Sequence, residues 1–201
     1  NIGSQPYGMS ISGRYAYVIN KNLNTLSVVD IANPFSPAVV ATTTTGTNPY
    51  DVFVSGRYAY VVNLSVNSMS IIDISNPLAP VNISSVGTGA APVYVTVSGK
   101  YAYVSNGIGD SISVIDISNP SSPSSVATLT VGDQPMGLFV SGRYVYVPLF
   151  ASAAGNTFVT VDAMTPSSPV VVATTTVGNG VESIFVSGRY AYMTNNTDKT
   201  M

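Results

Sequence analysis

The chain has 201 residues, of which 45% are apolar and only 8% charged, with seven Lys or Arg against nine Asp or Glu and a formal net charge of −2. It contains no Cys and no His, so disulfides, thiolate metal sites, His-based hydrolytic triads and His-ligated zinc are excluded. The weak acidic balance offers no basic patch to a phosphate backbone, which argues against nucleic acid as a partner.

Taken in chain order, a first strand is predicted over residues 7–12, and its sequence ends on the Ser-Gly-Arg-Tyr string that begins at Ser12. The same string, with Lys allowed for Arg, returns at Ser55, Ser98 and Ser141 in steps of 43, and at Ser187 after a step of 46. Asp30, Asp73, Asp116 and Asp162 keep the same spacing, so the whole unit is repeated. The second unit is the clearest: residues 50–55, 58–63, 70–75 and 81–86 are four short runs rich in Val, Ile, Tyr, Phe and Thr, each closed by turn residues. They predict four antiparallel strands. Gly56-Arg57 suits a two-residue hairpin with Gly at positive φ, and its counterparts are Gly13, Gly99, Gly142 and Gly188. Asn76-Pro77 and Pro80, like Asn33-Pro34 and Asn119-Pro120, fix φ and withhold backbone donors, so the chain must turn a rigid corner there. Helix is expected to be nearly absent.

A four-stranded meander repeated every 43 residues or so has the length and content of a β-propeller blade. The expected fold is therefore all-β, a propeller of four-stranded antiparallel blades with units near 6–48, 49–91, 92–134, 135–180 and a partial 181–201. A linear β-solenoid is the alternative, but its coils are usually shorter and lack three tight turns per unit. The last unit stops after a second strand over residues 190–195, and the start at Asn1 carries neither an initiator Met nor a signal pattern. The segment is expected to belong to a longer chain, since six to eight blades would need roughly 260 to 340 residues.

The string Pro-x-x-x-x-Val-Ser-Gly-Arg-Tyr-Ala-Tyr-Val-x-Asn from Pro49 to Asn63, followed by Ser-Ile-Ile-Asp-Ile-Ser-Asn-Pro, resembles the YVTN and LVIVD propeller repeats. The Tyr-Val-x-Asn core recurs as Tyr17-Val18-Ile19-Asn20 and Tyr103-Val104-Ser105-Asn106, with Tyr192-Met193-Thr194-Asn195 a variant, while Pro148-Leu149 breaks it in the fourth unit. The resemblance implies a cell-surface or surface-layer-like protein, although related propellers occur in lactonase-like and haem-bearing enzymes. No Trp supports a Trp-Asp blade and no Gly-Gly pair a kelch blade.

In such blades the first and third turns share one face of the disc. Arg14, Arg57, Lys100, Arg143 and Arg189 therefore fall near Asp30, Asp73, Asp116 and Asp162, and are expected to pair with them as structural charges. The opposite face carries the other seven charges, Lys21, Asp51, Asp110, Asp133, Glu182, Asp198 and Lys199, and also the segments in which the units differ: 21–24, 64–68, 107–110 and 148–157. A rigid scaffold with variable loops on one face builds a binding surface. The candidate interaction residues are Lys21, Asn22, Tyr50, Asp51, Tyr94, Asp110, Asp133, Met136, Phe150 and Glu182. Asp51 and Glu182 read as solvated loop carboxylates; convergence and a perturbed pKa would instead make them an acid/base pair or a hard-cation site. Acceptor triplets for glycosylation begin at Asn63, Asn82 and Asn195, but Asn63 and Asn195 hold the repeated Asn position and are expected to cap the second turn.

The reading at this point is a non-enzymatic extracellular or cell-surface propeller, binding a protein or glycan through its variable loops, with no catalytic residues, no cofactor and no membrane span. The alternatives are a propeller enzyme or carbohydrate-binding module using residues near Asp51 and Glu182 or in further blades, and a structural repeat that self-assembles through blade edges.

Overall fold

The computed structural model describes residues 3–150, 157–178 and 180–196. The described residues form five consecutive antiparallel sheets, each in simple meander order. Blade 1 comprises β1 (Pro6–Ser12), β2 (Tyr15–Asn20), β3 (Thr25–Asp30) and β4 (Ala38–Thr44). Blade 2 comprises β5 (Pro49–Ser55), β6 (Tyr58–Asn63), β7 (Ser68–Asp73) and β8 (Val81–Gly87), and blade 3 β9 (Pro92–Ser98), β10 (Tyr101–Asn106), β11 (Ser111–Asp116) and β12 (Ser124–Thr130). Blade 4 comprises β13 (Phe139–Ser141), β14 (Tyr144–Pro148), β15 (Thr157–Asp162) and β16 (Val170–Thr176). Blade 5 shows two strands, β17 (Val181–Ser187) and β18 (Tyr190–Asn195). This is an all-β propeller architecture, and residues 151–156 of the long fourth-unit loop lie outside the described residues. Among the described residues no helix is long and apolar enough to cross a membrane.

The local rules that shape each blade are visible at its turns. Gly13, Gly56, Gly99, Gly142 and Gly188 all have φ between 57° and 60°, the first-position geometry of a two-residue hairpin that matches strand twist. The third strand of blade 2 runs two residues earlier than its apolar pattern predicts, at 68–73 instead of 70–75. Its end is set by Asp73, whose Oδ1 accepts the Ser75 N–H at 2.9 Å and draws the backbone out of the ladder. Its start is set by Asn67 in the left-handed region after a 3-10 turn at Leu64–Val66.

Buried asparagines fasten the second strand of a blade to the third. Asn63 Nδ2 donates to Ser70 Oγ at 3.0 Å and Ser68 Oγ at 3.2 Å, while its Oδ1 accepts the Gly46 N–H at 3.0 Å. Asn20 and Asn106 donate to the matching hydroxyls of Thr25 and Ser27, and of Ser111 and Ser113. Asn63 is fully buried and its amide serves the fold, but it bridges strands instead of capping the second turn as expected, since it makes no side-chain cap bond to the 3-10 turn at Leu64–Val66.

The core lies between blades. Along β6 the side chains alternate, with Ala59 and Val61 packing toward Tyr17, Ile19, Leu26 and Val28 of blade 1, and Tyr60 and Val62 toward Val95, Ala102 and Val104 of blade 3. Blade 3 meets blade 4 in the same way, through Tyr103, Ile112 and Val114 against Val145, Val147, Val159 and Val161. Both faces of a blade are thus covered, which explains nearly continuous apolar runs such as Tyr58–Val62.

Candidate functional site

The first strand of each blade is innermost, and four of the five begin with an irregularity at the same end. In blade 2, Pro49 pairs with Asn63 and Asp51 with Val62, so Tyr50 is the extra residue of a bulge. Val93 in blade 3 and Glu182 in blade 5 are extra residues in the same sense, and in blade 1 Tyr7 and Gly8 together stand opposite Ile19. Blade 4 has only the isolated bridge of Pro135 with Leu149 before β13, leaving Met136 outside the ladder. A bulge bends its strand and re-aims the side chain. Tyr7, Tyr50, Val93, Met136 and Glu182 accordingly line one cavity of about 220 Å³, together with Gly8, Asp51 and Tyr94.

Close approach of the blades shapes this cavity. A Cβ on Gly8 would lie 2.8 Å from both Asp51 Cα and Tyr50 O, so only glycine lets blade 1 come this near to blade 2. On the far side the Gly137 N–H donates to Glu182 O at 3.1 Å.

Asp51 is half-buried, and its Oδ2 accepts the Val95 N–H from blade 3 at 3.1 Å. Burial pushes its pKa up to about 6, against the opposing pull of N–H bonds from Val95 and Val52. The sequence expectation of a solvated carboxylate is therefore corrected for Asp51, because Gly8 and blade 3 cover it. The Tyr7 and Tyr50 hydroxyls are 2.6 Å apart with ring centroids at 4.4 Å, and Lys21 Nζ stands 4.8 Å and 4.7 Å from the two rings. Burial, and then the bond to Tyr7, holds the Tyr50 hydroxyl well above its usual pKa. Tyr94 is raised by burial, with the charges of Asp51 and Glu182 adding to it. Glu182 Oε1 accepts from Asn196 Nδ2 at 2.6 Å. The cavity thus gathers a carboxyl poised to ionise near neutrality, a second carboxylate across the channel and phenol donors that stay protonated. Among the described residues no group of three or more Asp or Glu converges as a metal-ligand set.

Of the residues nominated from sequence, Tyr50, Asp51, Tyr94, Met136 and Glu182 come together here, with Lys21 at the rim. Asn22, Asp110, Asp133 and Phe150 do not line the cavity. Asp110 serves the fold instead, because its Oδ1 accepts the Gln134 N–H at 3.0 Å, as Asn24 and Asn67 do for Asn48 and Ala91 at the matching connections. Asp198 and Lys199 lie outside the described residues. Tyr7 and Val93 are not among the candidate interaction residues, but both start first strands one step of 43 from Tyr50, which places them at the same end of the blades as expected from sequence.

On the opposite face each cation meets the Asp of its own blade. Arg14 pairs with Asp30, Arg57 with Asp73 at 2.5 Å, Lys100 with Asp116 at 3.7 Å and Arg143 with Asp162 at 2.9 Å. Each cation also lies over the ring of the following Tyr, at 4.9 to 5.3 Å. The Arg57 guanidinium holds Asp73 down to about 2. Among the described residues no carboxylate stands opposite Arg189, whose blade shows two strands.

The LVIVD repeat model matches residues 7–45, 48–88, 93–131 and 134–177. No curated protein matches the chain by sequence. Among solved structures, a provisionally named 6-phosphogluconolactonase of Bacteroides uniformis superposes with a TM-score of 0.84 at 16% identity, covering 98% of this chain and 65% of that one. The periplasmic gluconolactonase PpgL of Pseudomonas aeruginosa gives 0.80 at 19% identity over 96% of this chain and 63% of that one. Hydrazine synthase of Kuenenia stuttgartiensis gives 0.72 at 19% over 90% and 52%. The chain thus spans just under two thirds of the length of the first two, and at these identities the likeness establishes the fold. Against the expectation of a non-enzymatic interaction or assembly scaffold stand two of the neighbours that superpose over nearly the whole chain, both named as lactonases.

Proposed function

The chain belongs to the LVIVD repeat family, and from that premise we propose that its channel-mouth cavity is the active site of a hydrolase that opens a small neutral cyclic ester, a lactonase-type reaction. The observation that carries the reading is Asp51, a half-buried carboxyl with its pKa raised to about 6 that lines one small cavity with Glu182 and Tyr94. Two of the neighbouring folds are named as gluconolactonases, which supports the same chemistry.

In this mechanism ionised Asp51 accepts a proton from water as the water oxygen attacks the ester carbonyl carbon. The oxyanion that forms accepts hydrogen bonds from the Tyr94 and Tyr50 hydroxyls, which stay protonated because their pKa values are raised. As the intermediate collapses, the bond from carbon to ring oxygen breaks. The proton held by Asp51 passes to that oxygen, giving an open hydroxy acid with one water added. The new carboxyl then gives its proton to bulk water, so the product is an anion beside Asp51 and Glu182 and charge repulsion favours its release, while the neutral ester enters without that opposition. An extracellular or cell-surface location is part of the reading, supported by the sparse charge and the abundance of Ser, Thr, Asn and Gly.

The test is hydrolysis of δ-gluconolactone and δ-valerolactone, followed by acid release. The wild-type rate should rise with pH through about 6, and Asp51→Asn should lower kcat/KM by about 100-fold or more. A wild-type protein that opens neither lactone, or a variant as active as the wild type, overturns the proposal.

A further inference from the structure

Beside the carboxylate cavity lies a second one of about 260 Å³, and the two share Tyr50, Val93 and Met136 as a common wall. Beyond that wall the second cavity is lined by Leu64, Ala91 and Ile108, with Gln134 at its edge and no charged side chain. The repeat supplies an internal control for these residues. Leu64-Ser65 of blade 2 corresponds, 43 residues on, to Gly107-Ile108 of blade 3 and, 43 residues back, to Lys21-Asn22 of blade 1. Where the sister turns place a polar Asn or Ser, blade 3 places Ile108, which is 76% exposed. Where they place the long side chains of Lys21 and Leu64, blade 3 has Gly107, and the missing side chain leaves the space open. The turns start from the same backbone bond, the Leu64 N–H to Asn48 O and the Gly107 N–H to Ala91 O, both at 2.9 Å, and then diverge, with the Ser65 N–H bonding Thr47 O in blade 2 and the Gly109 N–H bonding Ala90 O in blade 3. An exposed Ile beside a space vacated by a Gly, on preformed walls and continuous with the carboxylate cavity, is a built apolar surface.

We propose that this cavity is an apolar subsite that takes the alkyl arm of the substrate, so that an amphiphilic lactone is opened faster than a bare one. The proposal rests on the reading of the carboxylate cavity as a hydrolase site. With the carbonyl at Asp51 and Tyr94, the arm passes over Tyr50, Val93 and Met136 and ends against Leu64 and Ile108, where each buried methylene strengthens binding about three- to fourfold.

The experiment measures kcat/KM on δ-valerolactone and on its derivatives with propyl and pentyl arms on the ring carbon next to the ring oxygen. Binding of the pentyl lactam, which resists hydrolysis, is measured by calorimetry. The expected result is a rise of about three- to fourfold per methylene, together with lactam binding. Ile108→Ser, which restores the residue type of the sister turn, should cut the ratio of pentyl to unsubstituted kcat/KM about tenfold and weaken the lactam to a similar degree. An unchanged melting temperature would establish that the variant is folded. Hydrolysis that is flat across the series overturns the subsite and leaves the hydrolase reading standing. Lactam binding that Ile108→Ser weakens, with no lactone hydrolysed, upholds the subsite and overturns the hydrolase reading alone. If neither the lactam nor any armed lactone is bound, the subsite is overturned.

Discussion

Burial raises the Asp51 carboxyl from an ordinary 3.8 to about 6, so the folded protein holds this proton more tightly than the unfolded chain does. Stability contributed by the protonated group is therefore complete below about pH 4 and is lost as pH rises through 6. A shift of this size corresponds to at most about 3 kcal/mol. Asp51→Asn keeps the acceptor for the Val95 N–H and removes the charge, so the variant should melt above the wild type at pH 8, with the difference closing by pH 4. Calorimetric melting at the two pH values checks this; a variant less stable at pH 8 would mean that the carboxylate is held by a partner instead of strained by burial. The ion pairs of the other face do not confuse the measurement. Asp73, lowered to about 2 by Arg57, contributes stability that is present above about 3.8 and lost only as pH falls toward 2. Asp51 also illustrates how far the site was legible. Asp51 and Glu182 could be nominated because both fall at the start of an inner strand, but the covering of Asp51 depends on Gly8 and Val95 of the neighbouring blades, which no local pattern reports.

At the scale of the strand, alternation does the organising. On β6, Ala59 and Val61 face one blade while Tyr60 and Val62 face the next, so every second residue belongs to a different interblade core. Ile71 of β7 is fully buried in the core shared by blades 2 and 3, and Ile71→Ala should cost about 2–5 kcal/mol. Val172→Ala on the outer strand β16, where the side chain is 51% exposed, should cost far less. Urea unfolding of the two variants distinguishes them, and equal losses would contradict the placement of the core between blades. The inner and middle strands and the Gly hairpins were readable from alternating runs and from Gly at a fixed offset. The bulges at Tyr50, Val93 and Glu182 were not, because a ladder that skips one residue leaves the residue pattern unchanged. The ends of β7 also escaped, since the Asp73 side chain, and not apolar periodicity, decides where that strand stops.

For the whole molecule, the repeat that made the fold legible is also what hid the function: four similar units announce blades, while the site is made by the few positions at which the units disagree, such as Gly8 against Asp51 or Gly107 against Leu64. A chain of similar units held by contacts between neighbours behaves as a one-dimensional array, in which stability follows the number of covered faces. Blades 2 and 3 are covered on both sides. Blade 1 exposes Met9 and Ile11 on its outer side, and in blade 5 Tyr192 is 47% exposed where its counterparts Tyr17, Tyr60 and Tyr103 are at most 5% exposed. Among the described residues β18 pairs only with β17. Amide hydrogen exchange in this chain should therefore be slowest in β6 and β10, intermediate in β2 and fastest in β18, although all four carry nearly the same sequence. Equal protection across the four strands would mean that the terminal faces are covered in solution, by closure or by another copy, and that the array unfolds as one unit. A graded pattern would instead assign stability to blade position and leave the channel-mouth cavity resting on its two best-protected blades, which supply Asp51 and Tyr94.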